Sequence, residues 1–178
     1  MDKKTGIILN NQMNDFSSPG IPNAFGYDPS PINYIQPGKR PLSSSSPVIV
    51  EIQSSVPNVS SQIRFGLGCS GGSRIPSCTL NSLLNILEFE SGLAQGIDHS
   101  RIHHQLIPHQ VELEFGGSKM FKIFESLQDK GHVVVWKGRG YGGSVSSAYG
   151  VEVIYEKGQS PRVVAVSDSR NMGLSAAW

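Results

Sequence analysis

Charge is scarce in this sequence: Asp, Glu, Lys and Arg make up 16% of its 178 residues, where an average soluble domain carries roughly 25%. Fifteen Lys+Arg against fourteen Asp+Glu leave a formal charge of +1. A basic face for phosphate neutralisation is therefore lacking, which argues against a nucleic-acid partner. Long apolar runs are lacking too: stretches such as Val133 to Trp136 fall far short of the ~20 residues that span a bilayer. Met1 to Thr5 lead directly into a strand-like Gly6-Ile7-Ile8-Leu9 without the apolar stretch of a secretory signal. Cysteine occurs only as Cys69 and Cys78, which define neither a disulfide framework nor a metal site and leave the compartment open. The length allows one ordinary domain or a substantial piece of a larger one, and makes two independent cores improbable.

What the sequence has is a 38% hydrophobic fraction, twenty glycines and eleven prolines, so a core is affordable and turns are many. Seven prolines fall between Pro19 and Pro47, and a residue that fixes φ and lacks an amide donor keeps this stretch out of regular ladders and helices. Ahead of it, Asn10 to Phe16 is dense in side chains that bond locally to backbone, which predicts a structured polar loop. Val48 to Ile52 and Ile63 to Gly68 read as strands of a hairpin. Leu80, Leu83, Leu84 and Leu87 recur at i, i+3, i+4, i+7, predicting a helix with one apolar stripe and Ser77 as its N-cap. Leu93 to Asp98 reads as a short turn and Arg101 to Pro108 as irregular. A second helix runs from Ser118 as cap through Phe121, Phe124 and Leu127 to Gly131. Strands follow at His132 to Trp136, Val151 to Tyr155 and Arg162 to Val166, with a turn around Gly158 to Pro161. This order predicts an α+β fold with mainly antiparallel sheet rather than a repeated βαβ array.

Two motifs attract attention and are set aside. Gly138-Arg139-Gly140-Tyr141-Gly142-Gly143 matches G-x-G-x-x-G, but Ser144 to Tyr149 favours extended structure where a dinucleotide site needs a helix. His99, His103, His104 and His109 cluster without the spacing that converges ligands on a metal, so they read as packing and hydrogen-bonding residues. No cofactor or metal is expected. Cys69-Ser70-Gly71-Gly72-Ser73-Arg74 says more, because paired glycines after a strand can turn consecutive N–H groups into one concavity. The run Ser43 to Ser46 offers hydroxyls and amides for a carboxylate, or is a linker. Asp15 with Gln12 can accept from an ammonium group, or cap a turn.

The order and wording of five blocks resemble the small-subunit region of the γ-glutamyltransferases, also called glutathione hydrolases. Gly6 to Ser17 looks like G-I-x-L-N-N-[QE]-M-D-D-F-S, Pro37 to Ser44 like P-G-K-R-P-L-S-S, and Gly71 to Ile75 like G-G-S-R-I. Arg101 to Pro108 is similar to R-x-H-H-Q-x-x-P, and Ser167 to Arg170 to A-S-D-x-R. The resemblance implies part of a four-layer αββα N-terminal-nucleophile hydrolase, made as a precursor that cleaves itself so that a threonine becomes the new N-terminus. That threonine attacks a γ-glutamyl amide with its own α-amine as base, and water or an acceptor amino acid or peptide resolves the acyl-enzyme.

By the same resemblance, Gln12 and Asp15 bind the substrate α-amino group, Ser43 and Ser44 its α-carboxylate, and the Gly71 and Gly72 amides form the oxyanion hole. Phe25 to Gly38 lies near the pocket mouth, and Asp168 and Arg170 hold the fold together. Glutathione or another γ-glutamyl compound is the implied donor, and the large subunit of the same precursor the implied partner, contributing an arginine. Family members are usually membrane-anchored, extracellular, periplasmic or vacuolar through sequence upstream. Residues 1–178 are expected to be an incomplete small-subunit portion without the nucleophile block T-T-H-x-S, since Thr5 and Thr79 are the two threonines and neither is set in it. Asn14 stands where the family usually has Asp, and Cys69 where it has a small residue. The chain is expected to be inactive alone and to expose apolar strand surface. The alternative expectation is a degenerate, non-catalytic binding or interaction protein, which the sequence upstream of Met1 would distinguish.

Overall fold

The computed structural model describes residues 2–53, 61–139, 146–156 and 158–177. They form two units, residues 1–43 and 44–178, each described by itself. In the first unit the proline-rich stretch forms no regular strand. Its order comes from single 3-10 turns at Gln12–Asp15 and Pro31–Asn33 and from a bridge between Ser17 and Tyr34. The expected strand at Gly6 to Leu9 is not formed: these residues are irregular, and Ile7, Ile8 and Leu9 are exposed. A strand needs a neighbouring strand for its amides; here the Ile7 amide bonds Thr5 Oγ at 3.4 Å and the Ile7 carbonyl accepts from the Asp2 amide, contacts within one local turn.

The second unit holds seven strands and three helices among its described residues: β1 Val48–Ile52, β2 Gln62–Ser70, α1 Ile75–Leu87, α2 Leu93–Asp98, β3 Ile102–His104, β4 Val111–Glu114, α3 Ser118–Asp129, β5 Val134–Lys137, β6 Ser147–Ile154 and β7 Arg162–Ser167. One sheet runs β1-β2-β6-β7 and is antiparallel throughout; its first pair is the expected hairpin. The other runs β3-β4-β5, with β3 antiparallel and β5 parallel to β4. α3 is the crossover for that one parallel pair, as a parallel connection requires. Phe124 stacks on Trp136 at 5.0 Å between ring centroids, which seats α3 on β5.

One expectation for this region needs correction. The Arg101 to Pro108 stretch is not wholly irregular, because Ile102–His104 forms β3 against β4. Strand β4 itself has the pattern Val-Glu-Leu-Glu, which looks half-exposed, yet all four residues are buried. The carboxylates tolerate burial because arginines meet them, as a buried charge requires.

α1 also departs from its reading. It begins at Ile75, with Ser77 already inside, and Arg74 occupies the N-cap. Its buried residues are Cys78, Thr79, Ser82 and Ile86, whereas Leu80, Leu84 and Leu87 are 56%, 43% and 40% exposed. Three of the four leucines therefore face away, Leu83 packs against the core, and a less apolar face meets the sheet. There Cys78 and Ile86 join Phe65, Leu67, Leu93, Ile97 and Ala148 in one core. Small residues permit the approach: a Cβ on Gly150 would stand 2.9 Å from Leu93 Cδ1, and one on Gly96 would stand 2.4 Å from Ile86 Cγ1. The opposite face of the sheet leaves Ile49, Val151 and Val163 exposed, the apolar strand surface that was expected. α3 starts one residue earlier than predicted, with Gly117 at the N-cap and Ser118 the first helical residue. Gly131, at φ 86°, closes it as expected, with its amide donating to Gln128 O and that of His132 to Leu127 O. No described helix is long and apolar enough to cross a membrane.

Candidate functional site

In the first unit, Gln12 and Asp15 are the two ends of one 3-10 turn, so their side chains issue from a single compact loop. Asn10 opens it by accepting the Gln12 amide at 3.1 Å. Asn33 closes it: Nδ2 donates to Asp15 O at 2.8 Å and to Ser17 Oγ at 3.3 Å. The Asn33 amide-oxygen Oδ1 accepts the Leu42 amide at 2.9 Å. One carboxamide thus ties the Gln12–Asp15 turn to the residue that precedes Ser43. Nothing in the sequence singled out Asn33, because its spacing to Asp15 follows no helical or strand period. Asp15 and Ser43 are exposed; Ser44, the first residue of the second unit, is half-buried, and its carbonyl accepts from Ser46 Oγ at 3.0 Å.

In the second unit, Gly71 and Gly72 sit where β2 ends and α1 begins, joined by a 3-10 turn over Gly72–Arg74. Both have positive φ, 133° and 61°, a region that strains residues with a Cβ. The Arg74 amide returns to Gly71 O at 3.2 Å.

A hydrogen-bonded frame from β3 and β4 holds this turn. Ser73 Oγ donates to Gln105 Oε1 at 2.8 Å, and Gln105 Nε2 donates to Ile107 O at 2.7 Å, which fixes the orientation of that amide. His103, buried, places Nε2 2.9 Å from the same Oε1 and Nδ1 2.7 Å from Ser77 Oγ. Since Oε1 only accepts, Nε2 carries the proton, and the Ser77 hydroxyl completes the frame from the first turn of α1. Asn81 Nδ2 adds a bond to Ile102 O at 3.0 Å. Arg74 forms a bidentate pair with Glu112 at 2.6 and 2.7 Å, and Lys137 stands 3.3 Å from the same carboxylate. Burial pushes the Glu112 carboxyl up, but the bonds and charge of Arg74, with Lys137, outweigh it and hold the carboxyl below its usual range.

Asp168 and Arg170 lie deep in the unit, in a four-member cluster. Arg170 meets Glu114 at 2.5 Å and Asp168 at 2.8 Å, and Arg101 meets Asp168 at 3.1 Å. The two guanidiniums balance the two carboxylates, and each also donates to carbonyls at the end of α2, Ile97 O and His99 O. Burial works against the Arg170 charge, yet Glu114 and Asp168 carry its pKa above the ordinary arginine value. Asp168 Oδ2 further accepts the Ala148 amide at 2.8 Å, so the C-terminal block is knitted into β6.

The histidines behave as packing and bonding residues. His103 belongs to the frame just described, and His104 meets His109 edge-on at 5.3 Å between centroids. Among the described residues no group of three or more His, Cys, Asp or Glu is placed to hold a metal. The glycine run at positions 140–143 lies outside the described residues; β6 follows it, where a dinucleotide site needs a helix.

Comparison with known proteins bears on this arrangement. The sequence model of the gamma-glutamyltranspeptidase family matches residues 1–178. Glutathione hydrolase proenzyme 2 of Schizosaccharomyces pombe is 35% identical over 178 residues, 100% of this chain and 27% of that protein. Glutathione hydrolase proenzyme 1 of the same organism is 40% identical over 134 residues, 75% of this chain and 20% of its own length. The chain thus spans about a fifth to a quarter of these curated relatives. Among solved structures, a mutant Helicobacter pylori gamma-glutamyltranspeptidase is similar with a TM-score of 0.78 at 26% identity, over 96% of this chain and 85% of that one. A highly active mutant of the Pseudomonas nitroreducens enzyme has a TM-score of 0.75 at 31% identity, over 99% and 84%. A family match along the whole chain and this likeness of fold establish that the chain belongs to the gamma-glutamyltranspeptidase family, with the mixed helices and antiparallel sheets of its N-terminal-nucleophile hydrolase fold.

Proposed function

We propose that residues 1–178 are the small-subunit portion of a γ-glutamyltransferase and supply the γ-glutamyl pocket for hydrolysis or transpeptidation of glutathione or a related compound. Gln12 and Asp15 receive the α-ammonium group, Asp15 through charge and Gln12 through its amide oxygen. Ser43 and Ser44 bind the α-carboxylate. The Gly71 and Gly72 amides face the carbonyl oxygen as it gains charge, a stabilisation for which one donor is worth roughly 10²- to 10³-fold in rate. The observation that carries this reading is the Gly71-Gly72 turn: two consecutive positive-φ residues, 133° and 61°, at a strand-to-helix junction in a chain that matches the family throughout.

The nucleophile is proposed to come from sequence outside these residues, as is the arginine that meets the glutamyl carboxylate. A nucleophile of this class needs a hydroxyl beside a free α-amine. Thr5 instead bonds the Asp2 carboxylate within a turn, and Thr79, buried, donates to Ser46 O at 3.3 Å. Water or an acceptor amino acid or peptide then releases the glutamyl group. The test is an assay with a γ-glutamyl anilide. The isolated chain is expected to show no enzyme-like turnover, and joining it to the remainder of a precursor is expected to restore it. Turnover by the chain alone, or none after the remainder is added, overturns the reading.

A further inference from the structure

Gly71 and Gly72 have no side chains to hold their own turn, and a glycine leaves positive φ as readily as it keeps it. Ser73 is the first residue after them with a polar side chain, and its hydroxyl donates to Gln105 Oε1 at 2.8 Å. The same oxygen meets His103 Nε2 at 2.9 Å, and Gln105 Nε2 donates to Ile107 O at 2.7 Å. Gln105 directly follows the last residue of β3, where the next amide, that of Leu106, donates to His104 Nδ1 at 3.1 Å. At the other end of the turn, Ser77 Oγ lies 3.0 Å from Arg74 O and 2.7 Å from His103 Nδ1.

We propose that Gln105 is a positioning residue for transfer of the γ-glutamyl group: through Ser73 it holds the Gly71 and Gly72 amides in the orientation that meets the developing oxyanion. This role rests on the oxyanion reading of that turn.

The two ends of the Gln105 amide are not interchangeable. Ile107 O only accepts, so the NH2 group must face it, which leaves Oε1 aimed at Ser73 and His103. The two donors occupy both lone pairs of that oxygen. His103 carries the chain of bonds on to Ser77 in the first turn of α1, so the Gly72–Arg74 turn is gripped at Ser73 and again beyond Arg74. Taking away the Gln105 amide removes the Ser73 anchor and leaves the backbone pairing of β3 with β4 in place. What depends on the anchor is direction. A hydrogen bond weakens steeply once its donor angle falls below about 120°, so an amide that swings away from the oxyanion gives up part of the roughly 10²- to 10³-fold that one such donor supplies.

The experiment uses the whole enzyme, this chain joined to the remainder of a precursor, with a γ-glutamyl anilide as substrate and rates counted per assembled enzyme. Gln105→Met keeps the length of the side chain and removes its acceptor and donor. It is expected to lower kcat about tenfold to a hundredfold with KM little changed, the pattern of an interaction that acts in the transition state. Ser73→Ala deletes only the hydroxyl and should lower kcat by a similar factor. The double variant should fall no further than either single one, because both break the same link. Losses that add in the double variant overturn the proposal, and so does a rise in KM at unchanged kcat. A residue that served stability alone would shift the urea midpoint and leave kcat as it was, which also overturns it. Where Gln105→Met does not assemble, Ser73→Ala decides, and an unchanged kcat there overturns the role. Gly72→Ala separates this role from the reading beneath it. Loss of kcat in Gly72→Ala with none in Ser73→Ala overturns the positioning role alone, whereas no loss in Gly72→Ala overturns both.

Discussion

The Asn33 carboxamide donates to the Asp15 carbonyl at 2.8 Å and accepts the Leu42 amide at 2.9 Å. A single side chain therefore sets the distance, within the first unit, between the loop that carries Asp15 and the residue before Ser43. These are the two groups proposed to hold the opposite charges of one substrate α-carbon, so their separation decides whether both bonds can form at once.

Asn33→Ala removes both links, and the bond to Ser17 Oγ with them, while leaving the side chains of the proposed ligands in place. In the whole enzyme it is expected to raise KM for a γ-glutamyl anilide about fivefold to tenfold, the equivalent of about 1 kcal/mol for lost neutral hydrogen bonds. kcat should change less, since the oxyanion turn belongs to the other unit. A drop in kcat with KM unchanged would contradict this placement.

Gly72 is held at φ 61°, so Gly72→Ala places a Cβ in a left-handed conformation at about 1 to 2 kcal/mol. The chain should relieve that strain by turning the amide, which is expected to lower kcat roughly 10²-fold or more while KM changes little. Gly68→Ala is the control: a Cβ there meets nothing within 4 Å. Equal kcat for both variants would remove the turn from the proposed site.

How far the sequence reveals this molecule differs between its parts. The β1–β2 hairpin, α3 and β7 are legible because period and turn residues act locally, and their neighbours in sequence are their neighbours in space. The Gly71-Gly72 turn is legible for the same reason, since positive φ is a property of the residue itself. β4 is not, because Glu112 and Glu114 look like solvent-facing residues until Arg74 and Arg170 arrive from 38 and 56 positions away. The leucine stripe of α1 misleads by another route: periodicity finds the apolar face of a helix but not which partner covers it. In this chain the sheet takes the face of Cys78, Ser82 and Ile86 instead. Asn33 and the His103 frame are long-range hydrogen bonds, which carry no period at all.

Arg170 is 1% exposed and is shared between Glu114 and Asp168. Arg170→Met keeps much of the volume but leaves two carboxylates against one guanidinium. Breaking a buried pair from one side costs about 3 to 5 kcal/mol, a large share of a typical domain stability. The expected outcome in a urea titration of the full chain is a midpoint shifted far down, or no cooperative transition. Double replacement of Arg170 and Glu114 by apolar residues should recover part of the loss. A midpoint near that of the parent chain in the single variant would show that the cluster is not a structural centre.

Glu112 gives a prediction with a defined pH window. Its carboxyl is held below the ordinary value of 4.5, because the bidentate Arg74 pair and Lys137 outweigh burial. Below about 4.5 the unfolded chain takes up a proton that the native carboxylate still refuses, so acid favours unfolding. The stabilisation is fully present above the unfolded value and is lost as pH falls through the lower, folded one. Glu112→Gln removes the titrating group. It is expected to destabilise the chain at neutral pH by about 1.5 to 3 kcal/mol, the range for hydrogen bonds to a charged group. The gap to the parent chain should stay constant down to about 4.5 and narrow below it. Urea unfolding of both chains across that range measures the gap directly. A gap that stays constant into strong acid would mean that the Arg74 pair does not hold the carboxylate in solution.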